Sequence, residues 1–246
     1  MAPKSTPQSV ASARRFRRRL LAWFGRHSRN LPWRRTRNPY HILVSEVMLQ
    51  QTQVSRVVEY YPRFLAAFPS LHRLASAPPA RVREEWQGLG YYRRATNLQR
   101  LAREVVAQHN GRIPREPAVL RELPGVGRYT AGAVASFAFE QPVPAVDTNV
   151  ARVLRRAFQP RLQSGARGEQ RIWEIATAIL PRRGAAAWRF NQAIMELGAL
   201  VCTARVARCG ICPVAEACRT GRQRSTGQRS TGQTQQEWFG LRSGSV

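Results

Sequence analysis

Leu123-Pro124-Gly125-Val126-Gly127 lies between two short helical patterns, at about residues 117–122 and 129–139, and its reading decides the fold. Proline and two glycines so close together stop one helix, permit a tight turn and let another backbone come near. The helix after the turn offers its free N–H groups and positive dipole end at that point, a ready phosphate site. Gly125, Val126 and Gly127 therefore read as a phosphate-gripping hairpin. Standing alone, the same residues would suit a plain turn between helices.

Working outward from the hairpin, the pattern stays helical. Phe16, Leu20, Trp23 and Phe24 recur at helical spacing and predict a helix over about 13–26. Asn38-Pro39 reads as a helix start, Asn38 capping and Pro39 in the first turn. Leu43, Val47, Val54, Val58 and Tyr61 make the buried stripe of that helix. Further helices are expected around 71–76, 79–86, 92–109, 148–158, 169–180 and 188–201. Strand signals are nearly absent, so the expected class is all-α. Residues 1–13 are small, polar and proline-containing and are expected to be disordered. Residues 219–246 read as a low-complexity tail, in which Arg224-Ser-Thr-Gly-Gln repeats at Arg229.

Charge narrows the partners. Forty Lys and Arg against 14 Asp and Glu give a net charge of +26, and the first acidic residue is Glu46. So basic a chain implies a polyanion, most commonly nucleic acid, although a merely solvated surface gives the same count. No apolar run has membrane-spanning length and no secretion signal is visible, so a cytoplasmic protein with no membrane partner is expected. Lys4 is the only lysine, which leaves no interior amine for Schiff-base chemistry.

All four cysteines fall in Cys202-x6-Cys209-x2-Cys212-x5-Cys218. Thiols clustered in a reducing compartment point to metal rather than disulfides. A structural zinc site would more often carry two Cys-x2-Cys pairs, and four cysteines also suit a 4Fe-4S cluster.

With these motifs in this order, residues 11–218 resemble the endonuclease III superfamily of helix-hairpin-helix DNA glycosylases. The resemblance implies a 4Fe-4S cluster held by Cys202, Cys209, Cys212 and Cys218. Its loop would bring Arg205 and Arg208 to DNA phosphates. It implies two helical subdomains with the DNA cleft between them: a barrel over 38–140 with the hairpin, and a cluster subdomain of 14–37 and 141–218. The expected partner is double-stranded DNA carrying a mismatched or oxidised base pair, bound by a monomer in the bacterial cytoplasm at the nucleoid.

Two carboxylates are candidates for the chemistry. In Val146-Asp147-Thr148-Asn149-Val150, local physics makes Asp147 a good helix N-cap. In the superfamily the aspartate at this place is catalytic, and a capping carboxylate is held rigidly and kept ionised. Glu46 lies among Val44, Val47 and Met48, with Gln50 and Gln53 on its helical face at i+4 and i+7. A polar stripe on a buried helix suggests a lined pocket, where burial would let Glu46 keep its proton. The segment Ser45-Glu46-Val47-Met48-Leu49-Gln50-Gln51-Thr52-Gln53-Val54 resembles the adenine glycosylase (MutY) branch. Endonuclease III proper has a lysine nucleophile where this chain has Tyr129.

The resemblance then implies roles. Glu46 protonates the base, Asp147 stabilises the sugar cation or captures it, and Asn149 and Tyr129 position the pair. Gln51 and Tyr91, the latter in Gly88-Leu89-Gly90-Tyr91-Tyr92, match residues that wedge into the duplex, with Gln50 beside them. Arg29, Trp33, Arg34 and Gln192 match the adenine pocket. Tyr91 and Trp33 would also serve as plain core aromatics.

The sequence departs from the family at Thr148, where many members have glycine. The family also continues into a C-terminal Nudix-like domain that reads 8-oxoguanine, and the residues after Cys218 are not expected to form one. The expected function is hydrolysis of adenine mispaired with 8-oxoguanine or guanine, with no lyase step. A thymine or uracil mismatch glycosylase and a silent DNA-binding relative with the cluster are the alternatives.

Overall fold

The computed structural model describes residues 7–223. The repeat at 224–233 and the pair Trp238-Phe239 lie outside the described residues. Among the described residues there is no strand, only an isolated bridge between Cys202 and Ala207, so the all-α expectation holds. In chain order the helices are α1 (Pro7–His27), α2 (Pro39–Leu49), α3 (Val54–Ala67), α4 (Leu71–Ser76), α5 (Pro79–Glu85), α6 (Arg93–Gln108) and α7 (Pro117–Leu120). They continue with α8 (Arg128–Phe139), α9 (Thr148–Phe158), α10 (Ala166–Ile179) and α11 (Gly184–Leu200). No described helix is long and apolar enough to cross a membrane.

The chain divides into two compact units. One contains Arg29–Ala145 and Leu180–Asn191, hence α2 to α8. Its core helix is α2. Asn38 Oδ1 accepts from the Tyr40 and His41 amides, at 2.9 and 3.3 Å, and fixes its start. Every residue from Ile42 to Met48 is buried, as expected of a helix covered on all sides. It packs against α3, α6 and α8, and α8 is itself buried from Thr130 to Phe137.

The expected single helix from Asn38 to Tyr61 is in fact two. The chain leaves the helix at Gln50 and restarts at Val54, with Gln53 as the new N-cap. The phase shifts, so Val57 is buried and Val58, expected inside, is exposed. Gln53 no longer shares a helical face with Glu46. The physical cause is the Arg94 guanidinium of α6, which takes up the carbonyls of Val47, Met48 and Gln50 where the helix would continue.

Of the described residues, the other unit contains 7–28, Val146–Ile179 and 192–223. Phe16 of α1 meets Phe158 of α9, ring centroids 5.2 Å apart. α1 packs on α10 and on the short 3-10 turn Ala215–Ala217. Residues 7–13, expected to be disordered, are helical. Proline is tolerated in a first helical turn, no breaker follows it, and Ser12 Oγ docks on the Ala217 carbonyl at 3.3 Å. Residues 219–223, assigned by composition to the tail, are also helical. Thr220 Oγ1 holds them to the Arg156 carbonyl at 2.8 Å.

Candidate active site

Glu46 is 4% exposed and, with Ser45, is one of two polar residues in the buried stretch from Ile42 to Met48. Tyr129 Oη donates to Glu46 Oε2 at 2.7 Å. Tyr129 is the second residue of α8, directly after the hairpin, so the turn that is read as gripping phosphate also fixes the partner of the buried acid. Gln50 ends α2, its Nε2 lying 3.5 Å from Thr130 Oγ1. Glu46, Tyr129 and Gln50 are therefore brought together within one unit.

The hairpin depends on Gly125, whose φ of +79° is left-handed and where an added Cβ would come within 3.0 Å of Asn97 Cβ. Gly127 needs no such freedom: its φ is −88° and nothing lies within 4 Å of a Cβ placed there. Its value is the open approach to the N-terminus of α8, not the turn itself. Val126 is buried.

Gln51 and Tyr91 are two of the four described non-glycine residues with positive φ, at 55° and 47°. Both are exposed, Tyr91 at 60%. Left-handed backbone on exposed, non-glycine residues marks strain held by the surroundings. Tyr91 is accordingly not a core tyrosine.

In the other unit Asp147 caps α9, as local physics implied. Its Oδ1 accepts from the Val150 amide at 2.7 Å, and its Oδ2 from Asn149 Nδ2 at 3.0 Å. Burial pushes its carboxyl above the ordinary aspartate range, against the opposing pull of the Val150 N–H, Asn149 and the Arg152 charge. Capping and burial therefore act on Asp147 in opposite directions, the cap favouring the ionised carboxylate and desolvation opposing it. Thr148 opens α9 with φ outside the left-handed region, so the departure from glycine costs no strain.

Arg152 was not singled out by sequence reasoning. Its Nη2 donates to Asn149 Oδ1 at 2.7 Å and to the Gly198 carbonyl at 2.9 Å, and its Nε to the Cys202 carbonyl at 2.9 Å. Asp147, Asn149, Arg152 and the first cysteine thus form one hydrogen-bonded run. Gly198 was also missed. A Cβ there would stand 2.7 Å from Asn149 Cβ, so α11 passes against α9 with no room for a side chain. Nothing in a glycine late in a helical pattern signals such a contact.

Cys202, Cys209, Cys212 and Cys218 line one cavity with Phe16, Val153, Ala157 and Leu197. All four are free thiols. Burial drives the Cys212 thiol up to about 11, and the other three thiols add to the shift. Cys218 is raised for the same first reason. Four thiolates in an apolar cavity repel one another unless a cation compensates them. Among the described residues no three His, Cys, Asp or Glu side chains are gathered tightly enough for a single metal ion. A polynuclear cluster asks for a wider set, since each cysteine takes a different iron. Arg156 Nη1 and the Gly221 amide also donate toward Cys202 Sγ and Cys218 Sγ, at 3.3 and 3.4 Å. A set of four thiols lining one apolar cavity fits a thiolate-ligated metal group. Arg205 and Arg208 are exposed on the same loop.

Trp33 is buried edge-on against Tyr61, centroids 5.6 Å apart, and Arg34 Nη1 donates to the Arg29 carbonyl at 3.1 Å. Gln192 is buried in the other unit.

Comparison with known proteins gives close matches. A family model described as HhH-GPD superfamily base excision DNA repair protein matches residues 44–177. The adenine DNA glycosylase of Rattus norvegicus is 44% identical over 232 residues, covering 90% of this chain and 44% of that protein. The chain thus spans less than half the length of this relative. Among solved structures, a thermostable thymine-DNA glycosylase superposes with a TM-score of 0.81 at 29% identity, covering 87% of this chain and 99% of that one. A non-covalent endonuclease III–DNA complex superposes with a TM-score of 0.75 at 27% identity, covering 90% and 100%.

Proposed function

The chain belongs to the HhH-GPD superfamily of base excision DNA repair proteins. From that premise we propose that it is a monofunctional glycosylase that removes adenine mispaired with 8-oxoguanine or guanine in double-stranded DNA. The observation that carries this reading is the hydrogen bond from Tyr129 to the buried Glu46. It pairs a buried acid, suited to protonating a base, with a tyrosine at the position where the lyase branch of the superfamily carries its lysine. Lys4 is the only lysine, far from this segment in sequence.

The target adenine leaves the stack, and Glu46 gives a proton to its N7. The C1′–N9 bond breaks, its electron pair goes to the base, and positive charge develops on the sugar. Asp147 stabilises that cation, and Asn149 and Tyr129 hold the pair in place. Water adds at C1′ and loses a proton, which leaves an abasic site and an unbroken strand. Gln51 and Tyr91 wedge into the duplex, and Gly125 to Gly127, Arg205 and Arg208 take phosphates. Arg29, Trp33, Arg34 and Gln192 line the base pocket. The four cysteines would hold a 4Fe-4S cluster, which when bound would fix the loop carrying Arg205 and Arg208.

The likeness to a thymine-DNA glycosylase supports a second reading, removal of thymine opposite guanine. Labelled duplexes with A opposite 8-oxoguanine, A opposite G and T opposite G separate the two. Each product is scored with and without alkali. Alkali-dependent breakage at A supports the first reading and breakage at T the second. Breakage without alkali overturns monofunctional hydrolysis, and no base loss anywhere leaves a DNA-binding relative.

A further inference from the structure

Arg94 is 9% exposed, and the catalytic scheme above gives it no part. It is surrounded by the two segments that carry the strained residues Gln51 and Tyr91. Toward the first, Nη1 donates to the carbonyls of Val47 at 3.1 Å and Met48 at 2.8 Å, and to that of Gln50. Nη2 donates to Thr52 Oγ1 at 2.9 Å. Toward the second, Nη2 donates to the carbonyls of Leu89 at 3.2 Å and Gly90 at 3.1 Å. Nε points to the Tyr91 carbonyl at 3.5 Å. Gln51 is thereby bracketed by Gln50 and Thr52, and Tyr91 is approached through its own carbonyl and the two residues before it.

The side chains of Gln51 and Tyr91 are exposed, so their own burial does not hold them left-handed. Local bonds act on each, such as the Arg94 amide to the Tyr91 carbonyl at 2.9 Å and Thr52 Oγ1 to the Gln50 carbonyl at 3.4 Å, and what the two share is a planar, rigid fork of donors between segments some forty residues apart. Trp86 completes the arrangement, its Nε1 donating to the Gly90 carbonyl at 3.2 Å and its ring 5.4 Å from the guanidinium.

We propose that Arg94 is a positioning residue that sets Gln51 and Tyr91 as one unit, so that both wedges meet the DNA in fixed register. This rests on the reading that Gln51 and Tyr91 enter the duplex. Lysine cannot replace Arg94, because an ammonium is a point donor that cannot serve two loops in one plane.

The test uses the full chain with Arg94→Lys, Arg94→Met and Thr52→Val. Thr52→Val removes one bond to the first segment and leaves the guanidinium in place, so it keeps the test open should the Arg94 variants not fold. Amide exchange in the free protein reads the segments directly. Arg94→Lys should speed exchange in 49–53 and in 88–92 together, while Thr52→Val should affect 49–53 first. Exchange rising in only one segment for Arg94→Lys, or in neither, overturns the proposal.

The functional arm compares single-turnover excision and binding to undamaged duplex. Arg94→Lys should slow excision about tenfold or more while affinity for undamaged duplex changes little, since a small misplacement of positioning groups is costly. In a background of Gln51→Ala and Tyr91→Ala, Arg94→Lys should add less than about a twofold further loss, because residues acting through one another are not additive. Independent, multiplying effects would contradict the proposal. If the wild-type chain excises no base, the reading of function fails, and the exchange arm still decides the role of Arg94.

Discussion

The two candidate catalytic carboxylates, Glu46 and Asp147, are held in opposite ways. Asp147 sits at a helix N-terminus and receives N–H donors from Val150 and Asn149, with Arg152 behind them. Glu46 sits inside a largely apolar helix, and the Tyr129 phenol hydroxyl donates to it. N–H donors favour the charged form of an acid. A phenol can donate to a carboxylate or accept from a carboxylic acid. The difference suits the proposed roles: Asp147 must face a developing cation while ionised, and Glu46 must hold a proton and then release it.

The largest break in that contrast is Glu46→Gln. It keeps the shape of the side chain and removes the acid, so excision should fall by about a thousandfold or more while DNA affinity is retained. Single-turnover kinetics alongside a binding titration checks both halves. Tyr129→Phe should be next. It leaves Glu46 without its phenol donor and should cost roughly ten- to a hundredfold in rate, an amount set by one charge-assisted hydrogen bond.

Asn149→Ala sharpens the other side. The reaction needs Asp147 ionised, so its rate falls as pH drops through the Asp147 pKa, which burial has already raised. Removing Asn149 deletes one of the donors that lower that pKa. The acid limb of the pH–rate profile should therefore move to higher pH, and a shift to lower pH would reverse the assignment. The smallest effect is expected from Gly198→Ala, which forces a methyl against Asn149. Overpacking of that kind costs about 1–3 kcal/mol, to be read from denaturant unfolding.

Helix positions were legible in the sequence because apolar periodicity and local caps set them, as at Asn38 and Asp147. The hairpin was legible because proline and glycine act within a few residues. The break between α2 and α3 was not. Gln50-Gln51-Thr52-Gln53 contains no breaker, and the agent that ends the helix is Arg94, distant in sequence. Arg152 and Gly198 escaped for the same reason, because their importance lies in what another helix places beside them. Glu46, Asp147 and the four cysteines were singled out because motif and resemblance agreed at those positions. No local pattern would have separated Glu46 from a solvated glutamate.

The most direct test is to identify the released base by mass from a duplex with adenine opposite 8-oxoguanine, under single turnover and without alkali. The account predicts stoichiometric free adenine with the strand unbroken. Strand cleavage accompanying release, or no adenine released by folded, cluster-loaded protein, would contradict it.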